Sequence, residues 1–154
     1  MVAKGYTQVP GVDFEEMFAS IMQLESVRAI LHIGATNDWN IDHLDIKTAF
    51  LHGDLDEENQ EIYMEQLEGA KEPSKEDWVC RLNKSLCGLH QASRQWLKKL
   101  YDCLTKEGFT RCAAEHSIYT WTDRIGTAIL AIHVDNMSLA ASSPSAMASA
   151  KESL

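Results

Sequence analysis

From Ala128 to Ile132 the chain reads A-I-L-A-I, five apolar residues in succession with no polar alternation. A strand of that kind has two apolar faces and needs cover on both, so it belongs in the interior of a sheet with further layers on each side. The preceding D-R-I-G at Asp123 to Gly126 separates it from Ser117 to Thr122, which predicts a hairpin over Ser117 to Thr122 and Thr127 to Val134 with Gly126 at the turn. Directly after the apolar run come His133, Val134, Asp135 and Asn136, then Met137, Ser138 and Leu139. A carboxylate that follows the most buried segment is either a solvated hairpin tip or part of a site, and Asp135 leaves both readings open.

A second acid stands in a similar setting. Trp39 to Gly53 reads W-N-I-D-H-L-D-I-K-T-A-F-L-H-G, in which Ile41, Leu44 and Ile46 mark a partly buried strand closed by the Gly53-Asp54 turn signal. Asp45 lies between Leu44 and Ile46. A buried carboxylate is costly unless it is paired, hydrogen-bonded or bound to a cation. Asp45 is therefore either a strand-end acid facing water or one of two acids on adjoining strands.

The other elements follow in order. Met1 to Gly11, broken by Gly5, Pro10 and Gly11, is expected to be an extended arm, and Phe14 to Phe18 a single helical turn. Leu24, Val27, Ile30, Leu31, Gly34 and Ala35 fall at helical spacing and predict an amphipathic helix ending near Asn37. Glu61 to Gln66 alternates as a strand and is expected to form a hairpin with the Asp45 strand across the acidic loop Asp54 to Gln60. Trp78 to Leu82 is a further strand. Gln91 to Glu107 is the strongest helix, with Trp96, Leu97, Leu100, Tyr101, Cys103 and Leu104 on a wide apolar face and Gly108 as its stop. Ser143 and Pro144 open a last helix as cap and first-turn residue.

At 154 residues and 45% hydrophobic, the chain is long enough for one domain with a real core. Its formal charge of −9 argues against a surface that grips nucleic acid throughout. The charge is unevenly spread: ten acids and two lysines lie between Asp54 and Asp77, and seven bases against two acids between Arg81 and Arg111. Only the second block could meet phosphate. Cys80, Cys87, Cys103 and Cys112 have no C-x-x-C spacing, so neither zinc nor redox chemistry is indicated, and free thiols fit an intracellular compartment, cytoplasmic or nuclear. No secretory signal opens the chain, no apolar run nears the roughly 20 residues that span a bilayer, and no membrane partner is expected.

Five ordered blocks carry a resemblance: V-A-K-G-Y-T-Q at Val2 to Gln8, L-D-I-K-T-A-F-L-H-G at Leu44 to Gly53, I-Y-M-E-Q at Ile62 to Gln66, L-N-K-S-L-C-G-L-H-Q-A-S-R-Q-W at Leu82 to Trp96, and H-V-D-N at His133 to Asn136. Together they resemble the reverse transcriptase of copia-type long-terminal-repeat retrotransposons, over essentially the whole chain. The resemblance implies an α+β palm and fingers, with an antiparallel sheet packed on helices and the thumb absent. Fingers are expected over about 1–40 and 60–90 and palm over about 40–60 and 90–154.

By that resemblance Asp45, Asp135 and Asn136 form the catalytic set. Asp45 and Asp135 are the paired carboxylates, holding two Mg²⁺ ions about 3.5–4 Å apart for attack of a primer 3′-hydroxyl on an incoming nucleotide. Phe50 matches the bulky residue under the sugar that excludes a ribose 2′-hydroxyl, and Gly88, Leu89 and Gln91 match the segment against nucleotide and template. Arg94 and Lys4 match positions that meet nucleic acid or nucleotide phosphate. The implied partners are an RNA or DNA template-primer and deoxynucleoside triphosphates.

The departures from the family pattern bear on activity. His133 and Asn136 replace the first and last members of Tyr-Val-Asp-Asp, and Asn136 offers a neutral oxygen where a carboxylate is expected. Cys87 stands for Tyr, Ser20 and Ser93 for Pro, Leu67 and Ala70 for Pro and Phe, and the loop Glu57 to Glu61 is longer than usual. Most of these are single-transition codon changes. They suggest a polymerase domain with impaired activity, or alternatively a non-catalytic remnant or co-opted binding module. Lacking the family's outer layers, the domain is also expected to expose apolar surface and to self-associate.

Overall fold

The computed structural model describes residues 2–15, 19, 22–55 and 61–154. Residues 16–18 of the expected helical turn and 56–60 of the acidic loop lie outside the described residues. The fold is mixed α/β, with helices α1 (Leu24–Thr36), α2 (Ala92–Lys106) and α3 (Pro144–Glu152). Strands β1 (Asn40–Asp45), β2 (Ile62–Glu65), β3 (Val79–Leu82), β4 (Thr110–Arg111), β5 (Ile118–Thr122), β6 (Thr127–His133) and β7 (Asn136–Ala141) make two antiparallel sheets. The chain divides into two compact units, Met1–Phe18 with Phe50–Lys99, and Ala19–Ala49 with Leu100–Leu154.

The second unit holds the five-stranded sheet, in the order β1-β7-β6-β5-β4. The apolar run lies in β6, between β5 and β7 as an interior strand must, and Ala128, Leu130 and Ala131 are fully buried. One face of the sheet carries Ala131 and Ala140 against Ile30 of α1, with Trp39, Ile118 and Ile129 around them. Alternation puts Leu130, Ile132, Met137 and Leu139 on the opposite face, and these too are buried.

Local chemistry sets the helix ends. At the start of α1 the Glu115 carboxylate accepts from Ser26 Oγ at 3.3 Å and Gln23 N at 3.5 Å, supplying the negative group that a helix N-terminus favours. A side chain on Gly34 would meet Ile41 Cδ1 at 2.6 Å, so the glycine lets α1 lie close to β1. Ser143 Oγ accepts from Ala146 N at 3.1 Å ahead of Pro144, the expected start of α3. Lys151 of α3 pairs with Asp42 of β1, whose register partner is Leu139, so α3 lies on the face away from α1.

One expected pairing is corrected. The strand ending at Asp45 does not form a hairpin with Glu61 to Gln66: β1 pairs with β7, and β2 pairs with β3 in a separate two-stranded sheet. In that register Leu44 stands opposite the fully buried Met137.

The first unit is built on Leu55, Ile62, Leu86, Leu89 and Ala92, with Ala3, Phe50, Met64 and Leu82 packed around them. Asp54 receives both Lys84 and Lys99. In this unit the arm from Ala3 to Gln8 is pinned to the loop before α2. Ala3 N donates to Cys87 O at 2.8 Å, His90 N donates to Gln8 Oε1 at 2.8 Å, and Gly5 and Gly88 meet backbone to backbone.

Candidate functional site

The interior strand β6 delivers its polar tip through a two-residue connection. His133 and Asn136 close the hairpin as a register pair, leaving Val134 and Asp135 as the turn. Tight hairpins need a positive φ at the first turn position, and Val134 takes it at φ +60°. That conformation crowds a β-branched side chain, so the residue just before Asp135 is strained.

Beside this hairpin runs β1. Asp45 is its last residue and stands directly across from Asn136. Ile46 N donates to Asp135 O at 2.9 Å, so position 46 with 135 is the hydrogen-bonded pair and Asp45 with Asn136 the non-bonded one, in which cross-strand side chains come closest. Two acids about ninety positions apart in the sequence thus end on adjoining strand termini. Asp45 is exposed, and Asp135 and Asn136 are half-buried.

The side chains are linked. Asn136 Nδ2 donates to Asp135 Oδ1 at 2.9 Å, and His43 Nε2 lies 3.2 Å from Asn136 Oδ1. His43 was not among the expected site residues. The signal that finds it is its place two residues before Asp45, which puts both side chains on one face of β1. Two carboxylates supply hard oxygen donors of the kind that suit magnesium, whose sites are ordinarily completed by substrate phosphates and water. The third member of the set is an amide. Among the described residues, no group of three or more His, Cys, Asp or Glu side chains is arranged to hold a metal ion.

The other expected residues belong to the first unit. Gly88 has φ +97°, and a Cβ there would overlap the Ala3 carbonyl, so the backbone that approaches this glycine is the chain's own arm. Gln91 is 2% exposed, its Nε2 donating to Asp13 O at 3.0 Å and its Oε1 accepting from Gln8 Nε2 at 3.0 Å. Phe50 is partly buried against the Leu55 cluster, Arg94 is half-buried on α2, and Lys4 is exposed beside the short 3-10 turn Gly5–Thr7.

The family model described as reverse transcriptase (RNA-dependent DNA polymerase) matches residues 1–154. The chain belongs to the reverse transcriptase family. It is 41% identical over 138 residues to the retrovirus-related Pol polyprotein from transposon TNT 1-94 of Nicotiana tabacum, a match covering 89% of the chain and 10% of that protein. It is 34% identical over 137 residues to the corresponding polyprotein from transposon RE2 of Arabidopsis thaliana, covering 89% of the chain and 9% of the relative. To that from transposon RE1 of the same plant it is 32% identical over 144 residues, covering 94% and 10%. The chain thus spans about a tenth of the length of these relatives, and they bear out the copia-type resemblance. No solved structure matches it. Reverse transcriptases generally use divalent metal ions and bind a nucleic-acid template and deoxynucleoside triphosphates. Among the described residues no helix is long and apolar enough to cross a membrane.

Proposed function

We propose that this reverse transcriptase domain carries the acid pair of template-directed DNA synthesis in Asp45 and Asp135, in a form weakened by Asn136. The observation that carries the reading is the register of β1 on β7, with Asp45 across from Asn136 and one residue from the Asp135 turn. On this reading the five-stranded unit is the palm, and the unit around β2 and β3 supplies fingers elements. Two magnesium ions held by Asp45 and Asp135 would activate a primer 3′-hydroxyl and neutralise charge on the transferring phosphoryl group.

The chain's own residues then orient the reactants. Phe50 sets the sugar preference, and Arg94 and Lys4 meet nucleic-acid or nucleotide phosphate. Gly88 and Gln91 form the nucleotide-facing segment, and Gln91 reaches a ligand only by exchanging its bonds to Gln8 and Asp13. Because Asn136 contributes no charge, the pair attracts cations less than three carboxylates would. A second reading, a non-catalytic remnant or co-opted binding module, draws on the Asn136 amide that occupies an oxygen of Asp135. The exposed Tyr63, Trp78 and Val79 on or beside the β2–β3 ribbon favour self-association.

Primer extension on an RNA template in Mg²⁺ tests the reading. Asn136→Asp is expected to raise incorporation at least about tenfold over the natural chain, and Asp45→Ala to abolish it in either background. No incorporation by Asn136→Asp, or incorporation indifferent to Asp45→Ala, overturns it.

A further inference from the structure

An asparagine amide has one oxygen that accepts and one nitrogen that donates, so its orientation decides what it offers a neighbour. At position 136 the choice is set by two partners. The Asp135 carboxylate can only accept, and it takes Nδ2 at 2.9 Å; Oδ1 is left facing His43 Nε2 at 3.2 Å. Since an amide oxygen carries no hydrogen, the imidazole must donate through Nε2. The opposite orientation would set oxygen against carboxylate oxygen. His43 is exposed on β1, pairs in register with Ser138 and shares its face with Asp45, so it reaches the amide from the strand that carries the first acid.

We infer that His43 and Asn136 form a positioning pair that holds down the cation affinity of the acid site, by keeping an N–H donor on Asp135 Oδ1 and the amide oxygen turned away. This rests on the reading of Asp45 and Asp135 as cation ligands. A cation that takes the Asp135 Oδ1 lone pair bonded to Nδ2 must first turn the amide and break both hydrogen bonds. Once His43 is removed, only the bond to Asp135 opposes that turn, and Asn136 Oδ1 is free to join Asp135 as a ligand. His43 thus acts through Asn136, and Asn136 acts through Asp135.

The test uses the full chain and Mn²⁺ as the probe, with binding read by electron paramagnetic resonance and the Asn136 side-chain amide read by ¹⁵N NMR. His43→Leu is expected to tighten Mn²⁺ about three- to tenfold, the worth of one neutral hydrogen bond, and to shift the Asn136 amide signals. His43→Gln, whose amide nitrogen can reproduce the Nε2 donor, is expected to stay within about twofold of the natural chain, and Asn136→Asp to bind tightest. If His43→Leu leaves affinity and amide signals unchanged while Asn136→Asp binds well, the inference fails and the acid-pair reading stands. His43→Gln behaving like His43→Leu also overturns it. Absence of Mn²⁺ binding even in Asn136→Asp ends the acid-pair reading and the inference with it.

Discussion

Replacing Gly88 with alanine tests whether the arm from Ala3 to Gln8 is held by close backbone contact. Gly88 has φ +97°, and an added Cβ would overlap the Ala3 carbonyl oxygen and lie 3.1 Å from its carbon. The left-handed conformation alone costs a residue with a side chain about 1–2 kcal/mol. Relieving the overlap displaces the arm and with it the 2.8 Å bond from Ala3 N to Cys87 O and the 2.8 Å bond from His90 N to Gln8 Oε1, each worth roughly 1 kcal/mol. The sum is a loss of about 3–4 kcal/mol in the first unit.

Two controls separate these contributions. Gly11 has φ +78° with nothing within 4 Å of an added Cβ, so Gly11→Ala isolates the conformational part. Gly5 lacks a positive φ, and its Cβ would overlap the Gly88 carbonyl, so Gly5→Ala isolates the overlap. Hydrogen exchange at the Ala3 amide combined with urea unfolding provides the assay. A Gly88→Ala variant that loses no more than Gly11→Ala, with Ala3 still protected, would refute the reasoning.

The ion pairs and the hairpin give further expectations. Lys84 first, then Lys99, lower the Asp54 carboxyl below its ordinary value of 3.8 in the folded chain. Because the native value is the depressed one, the stabilisation is complete above about pH 4 and is lost as pH falls through the native value. Asp54→Asn is therefore expected to cost about 1 kcal/mol or less near pH 7, after allowing for half-exposed lysines, and progressively less as the pH falls through the native value. Urea midpoints at about pH 7 and at successively lower pH check this, and a difference that does not shrink in acid counts against it. At the hairpin, Val134→Asn places a residue that tolerates positive φ where a β-branched one is strained, and should stabilise the chain by about 1 kcal/mol. A lower melting temperature for that variant would show that Val134 is not strained.

Elements with a strong local period were readable from the residues. Gln91 to Glu107 becomes α2 over Ala92–Lys106, and Leu24 to Asn37 becomes α1 over Leu24–Thr36, because in each an apolar stripe meets a clear stop signal. The β5–β6 hairpin followed from D-R-I-G between two β-rich runs. The pairing of β1 with β7 was not legible in turns or periodicity, since its partners are separated by nearly a hundred residues; only the family resemblance brought Asp45 beside Asp135. The same gap is why the hairpin expected with Glu61 to Gln66 does not form: a local turn signal cannot name a partner some ninety residues away. Two-residue β4 carries too little pattern to be seen. His43 carries no signal of its own in the sequence, because one histidine in a mixed strand looks ordinary until its cross-strand neighbours are known. Gln91 was matched to a ligand-facing segment, yet its burial against Gln8 and Asp13 depends on an arm some eighty residues upstream.

Asp45 rides on β1, an edge strand joined to the sheet through β7, whereas Asp135 is anchored by the interior β6. Marginal strands fray at a lower free-energy cost than central ones, so the two acids can drift apart while the rest of the sheet stays intact. Any ligand that bridges them would clamp that margin shut. Occupancy of the pair should then be felt along all of β1 as slower solvent exchange, well before anything changes in the central strands.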